Sequence, residues 1–99
     1  MTRRVIVRPE AKRDLREAKT WYKNISAELK ADFVEKIDDA VALARERPLA
    51  YQIVLRTFRR VLIQRFPYAL FFHADDDRIV VVAVLHQARD PELLETRRT

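Results

Sequence analysis

Residues 59–91 read RRVLIQRFPYALFFHADDDRIVVVAVLHQARDP, and this stretch decides the architecture. Runs rich in Val, Ile, Leu and Phe are broken by two turn signals, Pro67 and the triplet Asp75-Asp76-Asp77, so three successive strands are expected. If the strands pair as hairpins, a fold-back centred on Asp76 sets His73 opposite roughly Ile79. The same register carries the end of the last strand back to the Pro67 turn and leaves His86 near Phe66. Arg65, Tyr68, His86 and Arg89 then gather at one end of the sheet, although they come from three segments. This cluster is the candidate site.

Working outward, the chain has 99 residues, enough for one domain spanning 1–99 with a core of about two layers. Cysteine is absent, so there is neither a disulfide framework nor a thiolate zinc site. Glycine is absent too, which excludes Gly-dependent phosphate loops, the dinucleotide fingerprint and the glycine-flanked serine elbow. Any positive-φ position is expected at Asn24 or in the Asp75–Asp77 turn, because Asn and Asp tolerate left-handed backbone. Two histidines far apart on the sheet do not make a metal site, and an ordinary polar strand position is the plain alternative for each. No cofactor is expected. No apolar run approaches the roughly 18 residues of a membrane span, and MTRRVIVR does not read as a signal peptide, so a cytoplasmic protein without membrane contact is expected.

The net charge is +5 and unevenly placed. Residues 9–47 carry nine Lys/Arg and nine Asp/Glu, so they balance. From Arg47 to Ala74 there is no acid, while Arg47, Arg56, Arg59, Arg60 and Arg65 fall in that gap. A basic surface on the strand side favours a polyanionic or acidic partner, and arginines guarding a solvated edge strand are the alternative.

Upstream, Arg3–Arg8 reads as a short first strand. Pro9 suits the start of a helix whose stripe is Ala11, Leu15, Ala18, Tyr22 and Ile25, with Trp21 flanking it, so a helix is expected over about 9–24. Asn24 to Ser26 makes a short connection with Ser26 as N-cap. Leu29, Phe33, Ile37, Ala40 or Val41, and Ala44 stripe a second helix ending before Pro48, with Asp32 and Lys36 paired on its outer side. The short link implies an antiparallel helical hairpin. Residues 48–57 stay open between a loop and a short extended piece. Pro91 onward suggests a helical turn and a frayed tail.

The last strand is apolar on both faces. Ile79, Val81, Ala83 and Leu85 are expected on one side and Val80, Val82 and Val84 on the other. Tyr68, Leu70 and Phe72 against Ala69 and Phe71 repeat the pattern in the middle strand. Two helices cover only one face, so the tail or a partner chain must cover the second.

A first strand, a helical hairpin with Trp21-Tyr22 near the end of its first helix, then RRVLIQRFPY, IVVVAVLH and ARDP together resemble the RelE/ParE superfamily of type II toxins. The resemblance covers nearly the whole chain, and Phe66-Pro67-Tyr68 with His86 and Arg89-Asp90-Pro91 carries most of it. It implies an α+β fold of order β-α-α-β-β-β, with the antiparallel helical hairpin packed on a small antiparallel sheet. It also implies a cognate antitoxin, with Arg59, Arg60, Phe71 and Val82 as the surface that meets it.

Two activities occur on this fold. RelE-like members cleave mRNA on the ribosome, which needs a base, an acid and phosphate-binding cations. Arg60, Arg65, His86 and Arg89 would be the catalytic candidates for that chemistry. Aligned at Tyr68, however, Leu62 and Ala69 stand where the RelE pattern has basic residues, and Leu93 or Leu94 replaces a late tyrosine. Phe66-Pro67-Tyr68 and ARDP look more like ParE-type members, which poison DNA gyrase by binding. On that reading Arg65, Tyr68, His86 and Arg89 contact the target. A small basic nucleic-acid-binding module is a third reading, permitted by the charge pattern alone.

Overall fold

The computed structural model describes residues 3–99; Met1 and Thr2 of the expected domain lie outside the described residues. Strand β1 (Arg4–Val7) leads into α1 (Pro9–Ile25), which Pro9 opens at a position where its missing N–H goes unmissed. Ser26 alone joins α1 to α2 (Ala27–Glu46) and serves both. Its N–H donates to the Tyr22 carbonyl at 2.9 Å, closing α1, and its Oγ accepts from the Leu29 N–H at 3.0 Å, opening α2. A one-residue link forces the helices antiparallel, as expected. Asn24 lies inside α1 rather than in the connection.

Ala11, Ala18 and Tyr22 of α1 and Phe33, Ile37, Ala40 and Ala44 of α2 are buried against the sheet. Ile25, expected in the same stripe, ends α1 and is 61% exposed. Lys36 pairs with Asp39, three residues on, at 3.9 Å rather than with Asp32, four residues back; both spacings share a helix face.

Beyond α2 come β2 (Ile53–Leu55), β3 (Phe58–Leu62), β4 (Tyr68–Ala74), β5 (Arg78–His86) and a C-terminal 3₁₀ helix (Pro91–Thr96). The segment left open in the sequence thus holds a fifth strand. The sheet order is β1-β5-β4-β3-β2. From β2 to β5 it is an antiparallel meander, but β1 pairs parallel with β5, so the sheet is mixed rather than wholly antiparallel. With α1 and α2 antiparallel and four strands in a meander, the chain reaches β5 running the way it left β1.

The β4–β5 register differs from simple fold-back arithmetic for two reasons. Asp75 and Arg78 close a two-residue turn, with Asp75 N–H donating to the Arg78 carbonyl at 3.0 Å, so His73 faces Val80. Further along, Phe72 faces Val81 while Phe71 faces Ala83, leaving Val82 as an extra residue in a β-bulge. Past the bulge Tyr68 faces His86.

The bulge also changes which side chains share a face. Ile79, Val81 and Val84 join Leu70, Phe72 and the helices in one core, while Val80, Val82, Ala83 and Leu85 join Phe58, Ala69 and Phe71 on the outer face. Ala83, Leu85 and Val84 therefore exchange their expected sides. Leu94 of the C-terminal helix, 2% exposed, packs into the outer core, with Leu93 partly buried beside it. The chain's own tail covers much of the second face.

Arg97 anchors that tail rather than letting it fray. Strand β1 stops at Val7, and Arg8 N–H makes its last bond to the Val81 carbonyl at 3.0 Å. Past that point the open edge of β5 is met by side chains. Asp14 Oδ2 accepts from Val84 N–H at 3.0 Å, and Arg97 Nη1 donates to the Val82 carbonyl at 2.9 Å. Arg97 also grips Asp14 through both carboxylate oxygens, at 2.8 and 3.1 Å. This forked ion pair closes an edge that a longer β1 would otherwise close.

Backbone at positive φ falls on neither Asn24 nor the aspartates. It falls on Arg56 (φ 52°), in the β2–β3 turn, and Arg65 (φ 69°), in the β3–β4 turn. The Asp75–Asp77 turn is held instead by the Asp75 carboxylate, which accepts from the Asp77 and Arg78 N–H groups at 3.0 Å each.

Candidate functional site

Gln87 N–H donates to the Pro67 carbonyl at 2.8 Å, tying the end of β5 to the β3–β4 turn as expected. The cross-strand pair Tyr68–His86 sits at this end, with ring centroids 5.2 Å apart and planes at 76°. Tyr68 packs in turn against Tyr22 and Phe33 at 6.1 and 5.3 Å. Burial pushes the Tyr68 phenol above its ordinary range, Arg89 pulls it back down, and Glu17 adds to the rise. Tyr22 is raised as well, first by burial and then by Tyr68.

Tyr68, His86 and Arg89 line one hollow together with Asp14, Glu17, Ala18 and Trp21 of α1. A second hollow, of about 400 Å³ on the outer face, is lined by Arg60, Leu62, Ala69, Phe71, Leu85, His86 and Arg89 among others. His86 and Arg89 form the ridge between the two. Arg65 lines neither. It stands exposed in the β3–β4 turn, so the structure gathers three of the four expected residues and leaves the fourth aside.

The chemistry open to His86 is limited by its backbone. Its Nδ1 accepts the Ala88 N–H at 3.0 Å, so the neutral ring carries its proton on Nε2 and presents a donor to the hollow. To act as a general base at Nε2 it would first have to give up that turn contact. Between Arg60 and Arg89 the floor of the second hollow is apolar: Leu62 faces Ala69 in register, with Leu85 alongside. Among the described residues, no group of three His, Asp or Glu side chains is placed to hold a metal ion.

The surface expected to meet an antitoxin is distributed differently. Val82 is fully buried and Phe71 nearly so, both in the core that the tail covers. Arg59 donates to the Tyr51 carbonyl at 2.7 Å and is partly buried. Only Arg60 of the four is exposed. It borders both the second hollow and a wider groove of about 720 Å³ between α2 and β3, where Ala40, Leu43, Tyr51, Val61 and Leu62 supply apolar walls. Leu43 and Leu62 are half exposed there, at 50% and 55%.

Sequence reasoning missed Trp21, 65% exposed beside the Tyr68 hollow, and the acids with it. A signal was present. Asp14, Glu17 and Trp21 recur at three- and four-residue steps on the side of α1 adjoining the buried stripe, so they share an edge facing the end of β5.

No helix is long and apolar enough to cross a membrane among the described residues. No curated protein matches the chain. A solved structure described as the chromosomal ParDE TA system from P. aeruginosa superposes with a TM-score of 0.73 at 15% identity, covering 85% of this chain and 95% of that one. At that identity it speaks for the fold, and it agrees with the mixed five-stranded sheet and helical hairpin. The family profile described as ParE toxin of type II toxin-antitoxin system, parDE, matches residues 5–91, from β1 to the first residue of the C-terminal helix. The chain belongs to the ParE toxin family of type II toxin–antitoxin systems.

Proposed function

We propose that this toxin acts by binding and poisoning DNA gyrase, and that a cognate antitoxin neutralises it. Family membership supports the class of target. The observation that favours binding over turnover is the floor of the outer hollow, where Leu62, Ala69 and Leu85 lie between the cations Arg60 and Arg89. Hydrolysis of an RNA phosphodiester wants cations around the phosphate and a free base near the 2′-OH. An apolar floor and a His86 that presents a donor suit a protein contact better. Trp21, Tyr68, His86 and Arg89 then form the contact set: an aromatic and arginine cluster of the kind that dominates binding energy at interfaces.

For the antitoxin, the groove between α2 and β3 is the better-supported seat. It is apolar and open, and β3 beyond Arg60, whose N–H donates to the Gln52 carbonyl at 3.2 Å, has no neighbouring strand on that edge, so a strand or helix carrying apolar residues can lie along it. The two-faced apolar β5 gives less support, since Leu94 already covers it.

The decisive experiment adds purified toxin to gyrase and, separately, to programmed ribosomes. Loss of supercoiling or accumulation of cleaved DNA, with ribosome-bound mRNA intact, is the expected result. Specific mRNA cuts in the ribosomal A site with gyrase unaffected would instead assign the ribosome-dependent endoribonuclease activity.

A further inference from the structure

The equal count of acids and bases over residues 9–47 conceals their separation in space. Lys12, Arg16, Lys19 and Lys23 of α1 and Lys30 of α2 line one groove of about 380 Å³ on the helical hairpin, with only Leu15 and Thr20 between them. None of the five forms an ion pair among the described residues. None of the nine acids of the same segment lines this groove. Asp14 and Glu17 line the Tyr68 hollow, and Asp39 lines the α2–β3 groove.

From this segregation we infer that the groove along α1 is a binding surface for the phosphate backbone of duplex DNA. The four α1 cations follow the spacing i, i+4, i+7, i+11, so they form one straight stripe of about 17 Å at 1.5 Å per residue. Like charges at those steps oppose helix formation, so the stripe is not something the fold requires. A duplex carries one phosphate charge per about 1.7 Å of axis, so a stripe of this length faces more than enough anions to engage every cation.

The lining also discriminates among polyanions. An acidic protein segment held tightly would need an aromatic or large apolar anchor at the centre of its seat, and only Leu15 and Thr20 are present. A single-stranded nucleic acid would want aromatic platforms for its bases, and none lines this groove. A rigid row of cations without either suits a duplex backbone read for charge and not for sequence. The surface lies on the helical side, away from the strand-side arginines that the sequence brought forward.

The test is anisotropy of a labelled random-sequence DNA duplex titrated with the full chain across a salt series, without gyrase present. Five released counterions give a slope of log affinity against log salt of about −4.5. The triple variant Lys12→Gln, Arg16→Gln, Lys23→Gln, checked for an unchanged thermal midpoint, is expected to flatten that slope by about 2.7 and weaken binding more than tenfold at low salt. The double variant Arg60→Gln, Arg65→Gln on the strand side is expected to leave the slope unchanged. An unaltered slope in the triple variant, a slope lost in the double variant, absence of DNA binding at low salt, or competition by polyglutamate as effective as by DNA would each overturn the inference. Because gyrase is absent from the assay, failure here leaves the gyrase reading standing, and the converse holds as well.

Discussion

Arg56 and Arg65 hold left-handed backbone that glycine would ordinarily take, in a chain with no glycine at all. For an L-residue that conformation costs about 1–2 kcal/mol, and glycine returns some of the gain as unfolded-state entropy. Arg65→Gly, which removes no ion pair among the described residues, is therefore expected to stabilise the fold by up to about 1 kcal/mol, read as a raised urea midpoint with unchanged slope. The sequence placed these positions wrongly because Asn and Asp tolerate left-handed backbone, whereas the lengths of the β2–β3 and β3–β4 turns decide where it is needed.

Arg89 is exposed and pairs with neither Asp90 nor Glu92; Asp90 is occupied in capping Glu92 N–H at 2.9 Å. Arg89→Ala, and more mildly His86→Ala, should therefore lower toxicity in cells while the melting temperature stays near wild type. Full toxicity of folded Arg89→Ala would remove this ridge from the target contact.

Tyr22 and Tyr68 make a different prediction, in pH. Both are raised, mainly by burial, so the folded state keeps its phenolic protons where the unfolded chain loses them. Their contribution is intact below the ordinary tyrosine range near about pH 10 and is lost as pH climbs through the raised folded values. Unfolding midpoints should fall above that pH, and Tyr22→Phe with Tyr68→Phe should flatten the fall.

Between elements, two ion pairs tie the C-terminal 3₁₀ helix and its exit to the body, and they should differ sharply. Arg56–Glu95 spans 3.3 Å with both side chains about half exposed, so Glu95→Ala is expected to change stability by less than about 1 kcal/mol. Asp14–Arg97 has side chains only 12% exposed and also satisfies backbone groups of β5. Asp14→Ala leaves the Val84 N–H without a partner and the partly buried guanidinium with only the Val82 carbonyl, its charge uncompensated, at a cost of about 3 kcal/mol by chemical denaturation. Equal effects of the two substitutions would show that the edge of β5 gains nothing from the pair. Neither pair was visible in the sequence. Asp14 and Arg97 are 83 positions apart, and each looks like an ordinary surface charge until β1 proves too short to cover its neighbour.

Across the whole molecule, the parts legible in the sequence were those governed by local periodicity and punctuation. The Ser26 cap, the helical hairpin, the three strands of 59–91 and the covering role of the tail follow from spacing, capping chemistry and apolar patterning. The parallel β1, the extra strand β2 and the register of β5 depend on pairings between distant segments, which no single stretch encodes. For the site, hairpin logic brought Tyr68, His86 and Arg89 together and misplaced Arg65, whose position depends on a turn conformation. It passed over Trp21, whose helix edge becomes a wall only once β5 lies beside it.

The bulge at Val82 has one further consequence. A strand is a two-beat pattern, and one supernumerary residue is a half-period slip: everything downstream changes side while nothing changes in composition. His86 stands on the Tyr68 side only because that slip occurs before it. Regular pairing with Val82 kept in the ladder would carry the imidazole to the opposite side of the sheet and bring Leu85 inward, whereas deleting Val82 removes the extra residue and leaves His86 beside Tyr68. Among relatives, a one-residue gap at position 82 therefore leaves the functional end of the sheet intact, and alignments that slide the gap past that position will pair side chains that point away from each other.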